Sequence, residues 1–262
     1  MRKLIDIFIR ANQKLSGWID RLLPAAMRVN GHREFIDNFA RNFLRPGMTV
    51  YDVGGGKNPL LSLEEKRRYG LRYVGLDIDA NELGQAPQGV YDEVICADIS
   101  GYPGRGDGDL VICQAVLEHV KDVERAFASL ASIAKAGGIL VIFLPSRNAI
   151  FARINLLLPE RLKRALLFAI FPSMVRGHGF PAFYDKCTPR EFHAMAQTNG
   201  LSVDEVRVHW TCGYFSCFVP LHVCWRLVQA IIRLMIRDQA ADTFSMALTK
   251  SGVVSESPVN AV

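Results

Sequence analysis

Three consecutive glycines, Gly54 to Gly56, end a short apolar run and precede Lys57, Asn58 and Pro59. Glycines at such a turn let backbone N–H groups approach a ligand without an intervening Cβ atom. A dinucleotide fingerprint would place a third glycine at position 59, where this chain has proline. The loop therefore predicts a cradle for a ligand other than a dinucleotide, and it disfavours a nicotinamide-dependent oxidoreductase.

Polar side chains follow three further apolar runs, each at the point where a strand would end. Asp77 ends YVGLD, Asp98 follows ICA, and Gln114 follows DLVIC. In an open parallel sheet such residues line one crevice at the position where the strand order reverses. A carboxylate at Asp77 can accept hydrogen bonds from both hydroxyls of a ribose, with Asp98 within reach of the base. The four features together predict a nucleoside site.

The elements that must position these residues alternate in type between Val50 and Pro145. Nearly continuous apolar, β-branched runs predict strands buried on both faces, at residues 49–53, 73–76, 93–96, 110–113 and 139–144. Helical periodicity occupies residues 32–47 and 121–138, and the pair Gly137 and Gly138 is expected to end the second helix. This alternation indicates an α/β fold with helices on both faces of a parallel sheet.

The residues from 44 to 145 resemble the class I S-adenosylmethionine-dependent methyltransferases. The resemblance is carried, in order, by LRPGMTVYDVGGG, YVGLDID, ICADIS, DLVICQAVLEHVKD and ASIAKAGGILVIFLP. It implies a Rossmann-like, doubly wound, seven-stranded and mostly parallel sheet. The segment TPREFHAMAQTNGLSVDEVRVHW looks like the last helix and sixth strand of that family, and TFSMALTK looks like its seventh strand.

The same resemblance implies S-adenosyl-L-methionine as the cofactor and assigns its contacts. It implies that Asp52, Gly54 and Gly56 shape the pocket for the methionine part. Asp77 would bind the ribose, and Asp98 with Ile99 would contact the adenine. Ile78 is a further expected cofactor contact, and Gln114 would line the methyl-transfer side. A cation beside a sulfonium would repel it, so we expect Lys57 to point to the methionine carboxylate or into solvent.

His119, in the segment LEHV, is the candidate general base, because a neutral imidazole there could take a proton from an acceptor hydroxyl. A structural role in orienting a loop remains equally open. The segment also resembles quinone-biosynthesis O-methyltransferases, in which an S-E-x-x-E-H-V stretch binds a divalent metal. Here Ala115 replaces the first acidic residue, and Glu118 with His119 alone would form a thin site for a hard cation. No metal is therefore expected.

The segment HGFPAFYD holds two reserve proton acceptors, His178 and Tyr184. Its aromatic residues could cap an acceptor pocket. Such aromatic residues more often belong to a buried core.

Composition limits the number of domains, the kinds of partner and the compartment that the chain can have. A chain of 262 residues, half of them apolar, can bury one sizeable core. The net charge of +5 is too mild a surplus to predict a nucleic-acid partner. The six cysteines include no C-x-x-C pair, which favours reduced thiols in a cytoplasmic protein.

The flanks of the regular core divide the chain further. An N-terminal amphipathic helix is predicted within residues 1–30, and a methyltransferase domain at 31–250. Insertions at 146–186 and 211–241 are expected to form lid or membrane-facing helices, and residues 251–262 a disordered tail. Basic residues begin the chain, but Asp6 and Arg10 interrupt any signal-peptide core, so we expect the N-terminal segment to be retained.

Two helical segments combine apolar surface with basic residues. In the first, one face holds Leu4, Phe8, Ala11, Leu15, Trp18, Ile19 and Leu22. Such a helix suits an anionic membrane surface, although packing on its own domain or on a twin subunit would use the same face. In the second, a single stripe holds His222, Arg226, Gln229, Arg233 and Arg237. Arginines at mid-bilayer would disfavour a membrane span, so an interfacial or lid helix is expected.

These features together predict an O-methyltransferase acting on a small or lipid-linked acceptor at a membrane surface, by inline attack on the sulfonium methyl group. We expect a cytoplasmic protein, peripheral to the inner face of the membrane, with a homodimer left open. The alternative is a non-catalytic binding protein that keeps the fold within a membrane-associated complex.

Overall fold

A seven-stranded sheet with the order β3-β2-β1-β4-β5-β7-β6 forms the centre of the computed structural model, which describes residues 2–159, 162–163 and 181–252. Strand β7 is antiparallel to both of its neighbours, and the other pairs are parallel. The predicted mostly parallel α/β sheet is confirmed. Its strands are β1 Thr49–Val53, β2 Arg72–Asp77, β3 Glu93–Cys96, β4 Gly108–Gln114, β5 Ala134–Pro145, β6 Leu201–His209 and β7 Thr243–Lys250.

Helices cover both faces of this sheet. They are α1 Arg2–Asp20, α2 Gly31–Glu34, α3 Leu63–Tyr69, α4 Ala80–Gly84, α5 Val123–Ile133, α6 Ile150–Leu157, α7 Pro189–Thr198 and α8 Val219–Ile236. Helix α2 continues through a π turn at Phe35–Phe39 and a 3-10 turn at Ala40–Phe43, so the helix predicted before the first strand is irregular.

Aromatic side chains fill the core on each face of the sheet. On one face the ring of Phe192 packs edge-on against Phe127 at 5.4 Å and against Phe244 at 5.6 Å. On the other face Phe35 packs on Phe143 at 5.5 Å between ring centroids. These buried contacts hold the sheet rigid beneath the loops at its carboxyl edge.

The predicted end of the fifth helix is wrong by four residues. Helix α5 ends at Ile133, and β5 begins at Ala134 with a register shift before Ile139. Gly137 adopts a φ of +73°, and a Cβ on Gly138 would lie 2.6 Å from the carbonyl oxygen of Gly108. The glycine pair therefore shapes a bulge beside β4, a close approach between strands that a helical pattern cannot reveal.

Helices α1 and α8, at opposite ends of the chain, lie side by side. Asn12 Oδ1 accepts a hydrogen bond from the backbone N–H of Val219, and the Ser16 hydroxyl donates to the carbonyl oxygen of Ser216. Within the described residues, one helical stretch, Val219–Ala240, has the length and apolar composition of a membrane-spanning helix. In this structure one of its faces packs on the domain.

Candidate functional site

The order of the sheet strands reverses between β1 and β4, which pair in parallel. Open α/β sheets bind ligands at such a switch point, outside the carboxyl ends of the strands. A cavity of about 180 Å³ lies at this position. It is lined by Asp52, Val53, Gly54, Gly55, Asn58, Leu60 and Gln114.

The glycine loop after β1 lies tightly against its surroundings. Gly54 has a φ of +79°, and its N–H donates to the carbonyl oxygen of Leu76 at 2.7 Å. A Cβ on Gly54 would lie 2.1 Å from Cγ2 of Val116, and one on Gly55 would lie 2.6 Å from Cγ of Asp52. Because no side chain fits at these two positions, the loop presents bare backbone to the cavity, as a cradle for polar ligand atoms requires.

Asp52 supports this loop from beneath. Its side chain is buried, and its Oδ2 accepts hydrogen bonds from the Tyr73 hydroxyl and from the backbone N–H of Leu60, the latter at 2.8 Å. Burial raises the pKa of this carboxyl. Asp52 therefore ties the end of the loop to β2. Asp52 also lines the cavity, and its role in shaping the methionine pocket stays a prediction.

Asp77 lies half-buried at the end of β2. Its Oδ1 accepts the N–H of Asp79 at 2.9 Å, and its Oδ2 lies beside Gly56. Asp79, not Asp77, caps helix α4 through the N–H groups of its first turn. Burial raises the pKa of Asp77. A carboxylate kept in a partly desolvated position, with another residue taking the capping role, is available for a ligand.

The adenine-side residues have different surroundings. Asp98 is exposed, and hydrogen bonds from the hydroxyl and backbone N–H of Ser100 lower its pKa. The Ile99 side chain is buried in the core, so a contact with adenine would come from its backbone. Ile78 is 54% exposed just after Asp77.

The side chain of Lys57 is exposed, which agrees with the second of the two expected directions, and it is paired at the surface. Its Nζ forms an ion pair with Oε1 of Glu82 at 2.8 Å. Glu82 follows the capping residue of α4 and lies next to Gly56. The cation is thereby held by a carboxylate, which weakens the repulsion that it would exert on a sulfonium.

His119 anchors a neighbouring loop. Its Nδ1 lies 3.1 Å from the carbonyl oxygen of Pro181. Because a carbonyl only accepts, Nδ1 carries the hydrogen in this contact, which leaves Nε2 as an acceptor. Nε2 is 3.8 Å from Oε1 of Glu118. This geometry suits a structural role in orienting the loop, and it also leaves a lone pair on Nε2 for a general base. Both roles therefore stay predictions.

Glu118 is the buried group that sequence reasoning underrated, since it was weighed only as a metal ligand. It is 4% exposed, its Oε2 has no hydrogen-bond partner within the described residues, and burial raises its pKa to about 8. Its backbone carbonyl accepts the N–H groups of Phe183 and Tyr184. Among the described residues, no group of three or more His, Cys, Asp and Glu side chains is arranged to hold a metal ion.

Of the reserve proton acceptors, Tyr184 is buried next to Glu118 and adopts a φ of +52°. Burial, with a contribution from the nearby Glu118, raises its pKa, so the phenol stays protonated near neutral pH. His178 lies outside the described residues.

We expect Glu118→Gln to flatten part of the pH dependence of stability. The native carboxyl keeps its proton up to about pH 8, whereas the unfolded one releases it near its ordinary value of 4.5. The wild type should therefore lose stability relative to the variant as pH rises from 5 to 7, by up to about 1.4 kcal/mol per unit. Denaturant unfolding at several pH values measures the difference. The exposed Glu64→Gln is the control, and parallel curves for the wild type and Glu118→Gln would contradict the prediction.

A family model described as Methyltransferase domain matches residues 27–206. A curated relative, the ubiquinone biosynthesis O-methyltransferase of Rhodopseudomonas palustris (strain BisB18), is 29% identical over 107 residues. That match covers 39% of this chain and 41% of the relative, so it spans less than half the length of either protein.

Solved structures share the fold at low sequence identity. A putative methyltransferase of Haloferax volcanii, in complex with the Trm112 methyltransferase activator, has a TM-score of 0.58 at 14% identity, covering 86% of this chain and 92% of that one. Magnesium protoporphyrin IX methyltransferase from Synechocystis PCC 6803, solved with bound SAM, has a TM-score of 0.50 at 17% identity, covering 84% and 80%.

Proposed function

The chain belongs to the methyltransferase domain family, and from this premise we propose that it methylates an oxygen atom of a small or lipid-linked acceptor at a membrane surface. The family match confirms the predicted class, a methyltransferase domain with S-adenosyl-L-methionine as its cofactor. The residues at the switch point fit that cofactor, because Gly54 and Gly55 leave no room for a Cβ and Asp77 is a half-buried carboxylate beside Gly56 of the same loop.

The observation that carries the acceptor class is an apolar border beside the cleft. Helix α6 follows the carboxyl end of β5 and leaves Ile154, Leu156 and Leu157 exposed, the last by 82%. The ring of Phe151 on the same helix packs against Tyr214 at 5.4 Å. An acceptor with an apolar tail would bury these side chains, and a fully polar acceptor would leave them in water.

Oxygen is favoured as the acceptor atom by the relative from Rhodopseudomonas palustris, which is an O-methyltransferase. The bound cofactor supplies an electrophilic methyl group on a sulfonium, which the acceptor oxygen attacks in line. His119 Nε2 can take the hydroxyl proton, since Nδ1 is occupied by the carbonyl of Pro181. Alignment by the glycine loop, Asp77 and Gln114 provides the remaining contribution, because such a transfer depends on proximity and desolvation.

The compartment belongs to the same proposal: a cytoplasmic protein, peripheral to the inner face of the membrane. All six cysteines are free thiols, and Cys96 and Cys224 are exposed. Exposed thiols without disulfides suit a reducing environment.

Transfer of a radiolabelled methyl group tests the proposal. The full chain is incubated with S-adenosyl-L-methionine labelled in its methyl group and, in parallel, with the lipid extract and the aqueous small-molecule extract of the host cells. We expect label in the organic phase, released as methanol or methyl iodide on ether or ester cleavage. Label on nitrogen would contradict the oxygen assignment.

Two results would contradict the proposed methyl transfer. Calorimetric binding of the cofactor without transfer into either extract favours a binding protein. Absence of cofactor binding would contradict both the enzymatic function and the assignment of the cofactor site.

A further inference from the structure

Helix α1 does not use its apolar face to pack on its own domain. Its contacts with the domain run through Ile9, Asn12, Ser16 and Asp20, a narrow strip at helical spacing. The apolar face predicted from the sequence remains exposed instead. Its members are Leu4 at 71%, Phe8 at 54%, Leu15 at 50%, Trp18 at 58% and Leu22 at 77% exposure.

Cations border that face on the side away from the domain. With 3.6 residues per turn, Arg10 and Lys14 lie roughly 80–120° around the helix from the centre of the apolar arc, and Arg21 follows at the same spacing. All three are exposed and have no ion-pair partner within the described part of the chain. Moving around α1, the order is therefore domain contact, apolar arc, and unpaired basic stripe.

Helix α8 presents a second apolar face beside the first. Its charged residues are Arg226, which is buried, and Arg233, whose guanidinium stacks on Trp210 at 4.7 Å. The outward face consequently carries no unpaired charge between residues 219 and 236. Its exposed members include Leu227 at 62%, Ile231 at 58%, Leu234 at 86% and Met235 at 77%.

A buried polar network turns the polar stripe of α8 inward. Asp20 Oδ1 binds His222 Nε2 at 2.9 Å and Arg226 Nε at 2.8 Å. Gln229 Nε2 donates to Oδ2 of Asp242 at 2.7 Å. Burial acts to raise the pKa of Asp20, but the hydrogen bonds from His222 and Arg226 outweigh it and lower the pKa to about 2. Polar groups inside and apolar groups outside reverse the usual arrangement of a surface helix.

Helix α1 is connected to the apolar border of the cleft through a short helix. Ser16 of α1 holds the short helix Tyr214–Cys217 through the carbonyl oxygen of Ser216. Tyr214 of that helix packs on Phe151 of α6. The two apolar faces and the acceptor side of the cleft are therefore linked through directly contacting residues.

We propose that the outward faces of α1 and α8 form one docking surface that inserts shallowly into an anionic lipid bilayer. The apolar residues enter the acyl boundary, and Arg10, Lys14 and Arg21 meet the headgroups, as in interfacial helices with a basic border. The surface would deliver a lipid-linked acceptor to α6, and in that respect its role rests on the function proposed above.

Charge decides between a bilayer and a second copy of the chain. In a symmetric dimer the same patch of both copies enters the interface, so the interface would hold two sets of unpaired cations. Anionic headgroups supply the missing countercharge. Each basic residue near an anionic leaflet contributes about 1 kcal/mol of attraction.

Flotation of the full chain with vesicles tests the surface without any need for cofactor or acceptor. Vesicles of phosphatidylcholine alone are compared with vesicles that also contain phosphatidylglycerol. We expect strong flotation only with the anionic vesicles. The triple variant R10Q/K14Q/R21Q should lower the partition coefficient about 100-fold, since about 1 kcal/mol per cation corresponds to roughly fivefold each. The triple variant R67Q/R68Q/R190Q, which removes three exposed cations elsewhere, is the matched control.

The apolar part is tested by L234S/M235S, against V94S/V206S on exposed strand positions. We expect the first variant to weaken flotation by at least about tenfold and the second to leave it unchanged. Emission of the exposed Trp18 should shift to the blue on adding anionic vesicles, and Trp18→Phe should remove the shift.

Three results would overturn the docking surface. These are flotation that is equal on both kinds of vesicle, flotation without a shift in Trp18 emission, and a dimer in sedimentation that L234S/M235S dissociates while the wild type fails to float. Calorimetry with S-adenosyl-L-methionine on the same variants separates the two proposals. If the chain binds the cofactor and transfers methyl groups but does not float, the docking surface is contradicted and the proposed function stands. If the chain floats but does not bind the cofactor, the proposed function is contradicted and the docking surface stands.

Discussion

Replacement of Asp77 by alanine is expected to weaken binding of S-adenosyl-L-methionine by about 100-fold or more while the fold stays intact. A carboxylate that accepts hydrogen bonds from two ribose hydroxyls contributes about 1.5–3 kcal/mol for each bond. Burial raises the pKa of Asp77, which means that the native state gains no stability from its charge. Calorimetric titration measures the affinity, and thermal unfolding should show a midpoint close to that of the wild type.

Asp79→Ala is the matched control for that experiment. Asp79 lies two residues away and accepts the N–H groups of Asn81 and Glu82 as the cap of α4. Its loss should cost about 1 kcal/mol of stability with a much smaller change in affinity. If Asp77→Ala and Asp79→Ala weaken binding equally, Asp77 acts only by shaping the loop, and its assignment to the ribose is lost.

Replacement of Arg226 by alanine is expected to destabilise the protein by about 3 kcal/mol, because removing one partner of a buried ion pair leaves the other partly desolvated and unpaired. Arg226 is 9% exposed and donates to Asp20, to the carbonyl of Trp210 and to Gln229. Its guanidinium also stacks on Trp225 at 4.3 Å. A single truncation thus removes contacts that join α1, α8 and the end of β6.

Denaturant unfolding followed by tryptophan fluorescence measures the loss of stability at the contact between α1 and α8. The three tryptophans of the chain, Trp18, Trp210 and Trp225, lie on α1, after β6 and on α8. The exposed Arg237→Ala should stay within about 0.5 kcal/mol of the wild type. Arg226→Lys keeps the charge without the planar fork and should fall between the two. Coincident transitions for Arg226→Ala and Arg237→Ala would show that the network does not stabilise the α1–α8 contact.

The position of the candidate crevice was predictable because its signals are local. A strand buried on both faces is a short apolar run, and a residue at its carboxyl end is fixed by position alone, so Gly54, Asp77 and Gln114 could be placed at one sheet edge from the sequence. The order of the motifs then supplied the family. The buried part of the helical stripe, His222, Arg226 and Gln229, also followed from spacing, whereas Arg237 lies beyond the end of α8 and is exposed.

The contacts that the flanking elements make with the rest of the protein could not be predicted from local sequence patterns. Periodicity identified the apolar face of α1 but not whether the domain covers it, and the structure leaves that face exposed. Lys57 pairs with Glu82, a choice set by where α4 begins. The glycines at 137 and 138 shape a strand bulge because β4 lies beside them.

The sequence by itself determined the alternating core and the sheet edge that holds the candidate crevice, because each depends on the type and spacing of neighbouring residues, and the resemblance of its motifs to a known family implied the cofactor. Only the tertiary structure decided that Glu118 is buried with an unpartnered oxygen, and that Asp20 meets Arg226 across 206 positions of chain. Burial and pairing over such separations arise when whole elements pack together, and no local pattern encodes which polar side chains will be enclosed.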